Sequence, residues 1–149
     1  MEEQQISRVC RANALASELD GIYHRAARKL GISDSIMSVL YIVDALGDGC
    51  QLQGVCRQCG IPKQTVNSAL RRLEAEGILF LEGQGRGKRV RLTERGTAYL
   101  NRTVRRLWKA EQRAFQDWTE AEFAEYLALT ERYKTALEAE IEKLEEQMP

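Results

Sequence analysis

The stretch from Cys59 to Leu79, CGIPKQTVNSALRRLEAEGIL, decides how the rest of the chain is read. Gly60 closes the segment before it, Pro62 suits a first helical turn where a missing N–H costs nothing, and Gly77 marks the next stop. A helix is therefore expected from about Pro62 to Glu76. Val66, Ala69/Leu70 and Leu73 recur three and four apart on one face, which must point inward. Gln64, Thr65, Asn67, Ser68, Arg71 and Arg72 are left outside.

Upstream, Leu52 to Cys59 predicts a short helix ending at Gly60, so two short helices meet at a glycine-containing turn, a helix-turn-helix. Downstream, Ile78 to Glu82 is a compact β-prone run. The loop GQGRGK then leads into Arg89-Val90-Arg91-Leu92-Thr93, which alternates strictly. Two strands around a glycine-rich loop predict a β-hairpin, with Val90 and Leu92 inward and Arg89 and Arg91 outward.

Helices are expected on both sides. Ile6 to Leu30 carries apolar residues three or four apart and ends at Gly31. Ser33 suits an N-cap for a second, nearly all-apolar helix through Met37, Leu40, Tyr41 and Leu46. Thr93 can cap one long helix through Leu100, Val104, Leu107/Trp108 and Phe115. Thr119-Glu120-Ala121-Glu122 fits a capping box for the last helix. Its apolar positions, Phe123, Leu127, Thr130, Tyr133, Leu137, Ile141, Leu144 and Met148, continue to the chain's end with nothing in the monomer to cover them. A second copy of the chain is the simplest cover.

At 149 residues and 44% apolar composition the chain can bury one core, and disorder is not expected. No apolar run reaches the length of a membrane span and the N-terminus lacks a signal peptide's apolar region, so a cytoplasmic location without membrane contact is expected. The formal net charge of zero conceals a division. Residues 63 to 106 hold eleven Lys/Arg against four Asp/Glu, while residues 117 to 149 hold three against ten. A basic middle predicts a polyanion-binding surface there.

The glycine loop invites comparison with nucleotide-binding loops, and both fail. A P-loop needs a glycine where Glu82 stands and Ser or Thr where Arg89 stands, and a dinucleotide fingerprint needs a glycine in place of Lys88 with a helix following. Double-stranded DNA fits better. A helix-turn-helix places its second helix in the major groove while a hairpin tip reaches the minor groove. Gln64, Asn67, Ser68 and Arg71 are the expected base readers, with Lys63, Thr65 and Arg72 on phosphates. On the hairpin, Arg86 is expected in the minor groove and Lys88, Arg89 and Arg91 on phosphates.

Other residue types point less sharply. Cys56-Arg57-Gln58-Cys59 has C-x-x-C spacing, but without a second pair or a histidine cluster it reads as packing, and no metal or cofactor is expected. Cys10, flanked by Arg8 and Arg11, is the candidate redox thiol. Tyr23, His24, Tyr41 and Trp108 are the candidate lining of a small-molecule pocket between helices, against the alternative that such aromatics simply form core. No catalytic constellation stands out, so an enzyme is not expected.

The stretch CGIPKQTVNSALRRLEAEGIL followed by GKRVRLTERG closely resembles the recognition helix and wing of MarR-type winged-helix transcriptional regulators. The resemblance implies a mostly α fold with a small β-hairpin. The winged helix-turn-helix would lie over residues 33–96 and the N- and C-terminal dimerisation helices over residues 1–32 and 97–149. It implies a homodimer reading a pseudo-palindrome, with a small-molecule or oxidant site between its dimerisation and DNA-binding parts. In that family the wing usually carries an Asp near the tip Arg; Gln84 and Gly85 stand here instead. Cys10 lies in the first helix, as does the sensing cysteine of the hydroperoxide-responsive branch. The expected function is a ligand-responsive repressor. The alternatives are a thiol-based redox regulator on the same fold and a winged helix that binds proteins without binding DNA.

Overall fold

A computed structural model describes residues 2–146, with side-chain surroundings for residues 3–144. Met148, the final position of the expected apolar stripe, lies outside the described residues. The chain divides into two compact units at Ala110/Glu111.

In the first unit, α1 (Glu2–Leu30) ends at Gly31, whose φ of 71° is open to glycine at little cost. The N-cap expected at Ser33 is present: its hydroxyl accepts the Ile36 N–H and starts α2 (Asp34–Leu46). This is the most apolar helix, and it buries Ile36, Met37, Val39, Leu40 and Val43. β1 (Cys50–Gln51), α3 (Leu52–Gln58) and α4 (Lys63–Ala75) come next in the chain. Val66, Ala69, Leu70 and Leu73 of α4 face inward as their spacing requires. Pro62 differs from expectation. It is the N-cap rather than the first helical residue, with extended ψ, and its carbonyl accepts the Val66 N–H.

The hairpin pairs β2 (Leu79–Glu82) with β3 (Arg89–Leu92), in the register Leu79 to Leu92 and Glu82 to Arg89. The sheet has three strands rather than the expected two, in the order β1-β3-β2, because Cys50 and Gln51 pair with Val90 and Arg89. Backbone bonds from Gly49 to Val90 and from Leu52 to Lys88 extend that short ladder. Val90 is fully buried, and Leu92 packs against the core.

Thr93 caps α5 (Glu94–Arg102) by accepting the Gly96 N–H, and its own hydroxyl donates to the carbonyls of Gly77 and Ile78. Gly96 lies so close to the Ile78 carbonyl oxygen that a Cβ would collide with it. Thr93 and Gly96 thus fasten the start of α5 to the corner between α4 and β2. The single long helix expected after Thr93 is instead two, α5 and α6 (Val104–Ala114). The break falls at buried Thr103, whose hydroxyl bonds back to the Tyr99 carbonyl at 2.7 Å and whose backbone leaves helical geometry. Such back-bonding competes with the helix ladder and bends it. Leu100, Val104 and Leu107 nevertheless join the core of α2, α4 and the sheet, where Val39, Leu40, Val43 and Leu73 are completely covered.

The second unit contains α7 (Glu120–Glu146) and the turn into it. The capping box takes its expected form. The Glu122 backbone N–H donates to the Thr119 hydroxyl, and the Thr119 N–H donates to Glu122 Oε2 at 2.8 Å. The N–H and hydroxyl of Thr119 both favour the ionised carboxylate, the backbone N–H most, and hold the Glu122 pKa below its ordinary value. Phe123, Leu127, Tyr133, Leu137, Ile141 and Leu144 are exposed along α7, as are Ile6, Val9, Leu15, Leu19 and Ile22 along α1. Two long helices each carry an uncovered apolar stripe.

Candidate nucleic-acid interface

The outer face of α4 presents Lys63, Gln64, Ser68 and Arg71 to solvent, with Thr65 and Asn67 half-buried beside them. Two of the polar side chains of α4 already have partners on their own helix. The Ser68 hydroxyl donates to the Gln64 carbonyl at 3.0 Å, and Arg72 Nε donates to Glu76 Oε1 at 3.1 Å, an exposed pair one turn apart. Lys63, Gln64 and Arg71 remain the long polar side chains standing clear on the face.

The wing tip is shaped by its glycines. Gly83 and Gly85 have φ of 90° and 57°, and a 3₁₀ turn over Gly85–Gly87 carries Arg86 into solvent. Lys88 is half-buried at the start of β3. The two arginines expected to face outward are tethered at the base of the wing. Arg89 Nη1 donates to the Gly49 carbonyl at 2.8 Å. Arg91 donates through Nε to Glu82 at 2.8 Å and through Nη1 to Asp48 at 3.4 Å. The other Asp48 oxygen accepts the Leu92 N–H at 2.8 Å, so one carboxylate grips both the side chain and the backbone of β3. Gly49 is needed beneath the guanidinium, where a Cβ would meet Arg91 Nη1 at 2.7 Å.

Between α3, the start of α4 and the wing tip lies a groove of about 610 Å³, lined by Leu52, Gln53, Cys56, Arg57, Lys63, Gly85 and Arg86. It brings three cations from separate parts of the chain around one space. Lys63 and Arg86 are among the expected interface residues, whereas C-x-x-C spacing marks Arg57 only as an interior residue of that motif. Its place in the groove depends on the wing folding over α3, which no local pattern reveals. Not every basic residue of the middle segment adds to this surface. Arg105 forms a two-pronged pair with Asp44 at 2.7 and 2.9 Å, and Arg102 lies 4.6 Å from the centroid of the Tyr99 ring.

The cysteines divide by environment. Cys56 and Cys59 pack against the core, and the Cys59 thiol reaches the Ser38 carbonyl at 3.7 Å. Burial, with Cys56 nearby, pushes the Cys59 thiol up to about 11, and burial also raises that of Cys50. Cys10 is exposed on α1, where its neighbour Arg11 pairs with Glu18 at 3.2 Å.

Of the four candidate pocket residues, two are brought into contact. Tyr41 on α2 and Trp108 on α6 meet edge to face with centroids 5.5 Å apart. The Trp108 Nε1–H is buried and has no acceptor among the described residues, an omission that costs about 1–3 kcal/mol where no partner is supplied. His24 is drawn elsewhere, with Nδ1 2.7 Å from Asp34 Oδ2 at the exposed junction of α1 and α2, and Tyr23 is exposed on α1.

No curated protein matches the chain. Residues 30–90 match the sequence model of the MarR family. Among solved structures, a MarR-family transcriptional regulator from Silicibacter pomeroyi is 28% identical with a TM-score of 0.66, covering 82% of this chain and 86% of that one. A MarR family regulator from Neisseria meningitidis shares the fold at 18% identity and a TM-score of 0.81, covering 91% and 97%. The PcaV transcriptional regulator from Streptomyces coelicolor, solved with its natural ligand, shares it at 22% identity and 0.60, covering 83% and 91%. The match over residues 30–90 and the fold shared over 82% or more of the chain make this chain similar to MarR-family regulators, with their winged helix-turn-helix fold.

Proposed function

We propose that the chain is a DNA-binding transcriptional repressor that acts as a homodimer on a pseudo-palindromic site. The observation that carries this reading is the groove in which Arg57, Lys63 and Arg86 surround one space beside the outer face of α4. A duplex seated there puts a phosphate strand in the groove, α4 in the major groove and the wing tip in the adjacent minor groove. Gln64, Asn67 and Arg71 are then the base readers. A bidentate amide or guanidinium contact supplies about 1–3 kcal/mol of discrimination each. Lys63, Lys88 and Arg57 hold the backbone, Arg86 enters the minor groove, and Arg89 and Arg91 hold the wing in shape.

The uncovered stripes on α1 and α7 support a second copy as partner. A symmetric dimer sets two recognition helices about one helical turn apart on the duplex. The buried, acceptorless Trp108 N–H beside Tyr41 supports an effector carrying a hydrogen-bond acceptor at that place. Such an effector relieves repression only by binding the two dimer arrangements unequally.

Selection of bound sequences from random duplex DNA tests the reading. A pseudo-palindromic motif should emerge, and Arg71→Ala should relax preference at one position in each half-site. Recovery of random sequence by the wild-type chain at moderate salt would remove the sequence-reading role from α4.

A further inference from the structure

The second unit holds a recess that DNA binding does not use. Four aromatic rings gather where the chain turns into α7. Phe115 meets Trp118 at 4.9 Å and Phe123 at 5.1 Å between centroids, both nearly perpendicular. Tyr126 stands 5.6 Å from Trp118 at 84° and 6.1 Å from Phe115. The Trp118 N–H bond to the Phe115 carbonyl and the Thr119–Glu122 capping box fix the turn that brings them together. Against this cluster opens a recess of about 370 Å³ lined by Trp118, Tyr126, Leu129 and three carboxylates, Asp117, Glu122 and Glu125.

We propose that this recess binds an organic cation, an ammonium or quaternary ammonium centre carried on an apolar body. Trp118 and Tyr126 stand at right angles and remain about two-fifths exposed, so a guest can reach both rings. Indole and phenol faces attract a cation placed within about 6 Å, most strongly when water is displaced. The charge for such a guest comes from Asp117 and Glu125. Glu122 is bound to Thr119, and its charge is offset by the positive N-terminal end of α7. Among the described residues none of the three carboxylates is in an ion pair. The volume falls within the range of small-molecule sites, roughly 300–1,000 Å³. The excess of ten acidic over three basic residues in 117–149 draws cations toward it.

Other occupants fit this lining less well. A second copy seated on the apolar stripe of α7 can cover Phe123, but drawn over the recess itself it would set Asp117, Glu122 and Glu125 against hydrocarbon, which is costly. An anionic aromatic meets like charge, and a neutral one leaves the carboxylates unanswered. The site stands apart from the DNA-binding reading, and its test uses no DNA.

The test monitors Trp118 emission in the full-length Trp108→Phe chain, where Trp118 is the only tryptophan, as benzyltrimethylammonium is added. Benzyl alcohol and benzoate serve as neutral and anionic probes of similar size, and calorimetry on the wild-type chain repeats the titration without relying on that substitution. Benzyltrimethylammonium should saturate, the other two should bind at least about tenfold more weakly, and Asp117→Asn with Glu125→Gln should weaken the cation by about tenfold at unchanged helix content. Absence of saturation by the cation, equal binding of benzoate or benzyl alcohol, or full affinity in the double variant would each overturn the proposal.

Discussion

Arg91 on β3 donates to Glu82 on β2 across the hairpin, Nε to Oε2 at 2.8 Å, and so joins the two strands at the base of the wing. Asp48, which precedes β1, completes the clamp by accepting from the same guanidinium and from the Leu92 N–H. Two kinds of contact are present and they differ in worth. The ion pairs are solvent-exposed and screened, and contribute little. Removing the acceptor of a backbone N–H costs about 1–3 kcal/mol if water does not replace it. Urea unfolding should therefore show Asp48→Ala more destabilising than Arg91→Ala, with Asp48→Asn in between. Equal losses for Arg91→Ala and Asp48→Ala would mean that the ion pair dominates the clamp.

Gly96 is tied to the corner between α4 and β2 through the Ile78 carbonyl against which it packs. An alanine methyl there must push α5 away from the corner between α4 and β2. Gly96→Ala should lower stability by about 2–3 kcal/mol or more, a size reserved for buried clashes and similar disruptions. Thr93→Ala, which removes only the cap, should cost about 1–2 kcal/mol. The check is the midpoint of thermal or urea unfolding; a Gly96→Ala chain as stable as wild type would show that this corner yields freely.

Much of this arrangement was legible in the sequence because local rules and global packing agree. Val66, Ala69, Leu70 and Leu73 are spaced for one helix face and all four are buried. The Ser33 and Thr119 caps are readable from side-chain chemistry alone. The features that escape such a reading depend on contacts distant in sequence. β1 is two residues long and exists because β3 offers it a ladder. The bend at Thr103 hides inside the unbroken spacing of Leu100, Val104 and Leu107. Arg57 becomes part of the groove only when the wing covers α3. The cluster of Phe115, Trp118, Phe123 and Tyr126 straddles a turn, so no helical period marks it.

Thiol chemistry should separate Cys10 from Cys59. Only the thiolate attacks an alkylating reagent, and burial holds the Cys59 thiol at about 11 while Cys10 lies open on α1. With iodoacetamide at pH 8 the native chain should be modified first at Cys10, and Cys59 should react only on the timescale of local opening. Mass spectrometry of peptic fragments provides the check, and prompt modification of Cys59 would contradict its packed position.

The capping box of α7 should respond to acid. The folded-state pKa of Glu122 lies below its ordinary 4.5 because the N–H and hydroxyl of Thr119 bind the carboxylate. Its contribution is therefore fully present above about 4.5 and lost as pH falls through the lowered folded value. Glu122→Gln retains the acceptor but not the charge, so the difference in stability between wild type and this variant should shrink over that window. A difference that stays constant down to about pH 2 would show that the charge plays no part.

The most direct test of the DNA-binding account is the salt dependence of affinity for a selected duplex. If Arg57, Lys63 and Lys88 of each protomer meet phosphates, a dimer makes about six such contacts, and log K against log salt should fall with a slope of about −5. Lys88→Ala should reduce that slope by about 2 per dimer while leaving sequence preference intact. A slope near zero, or an unchanged slope in Lys88→Ala, would contradict the claim that this groove and wing seat the backbone of DNA.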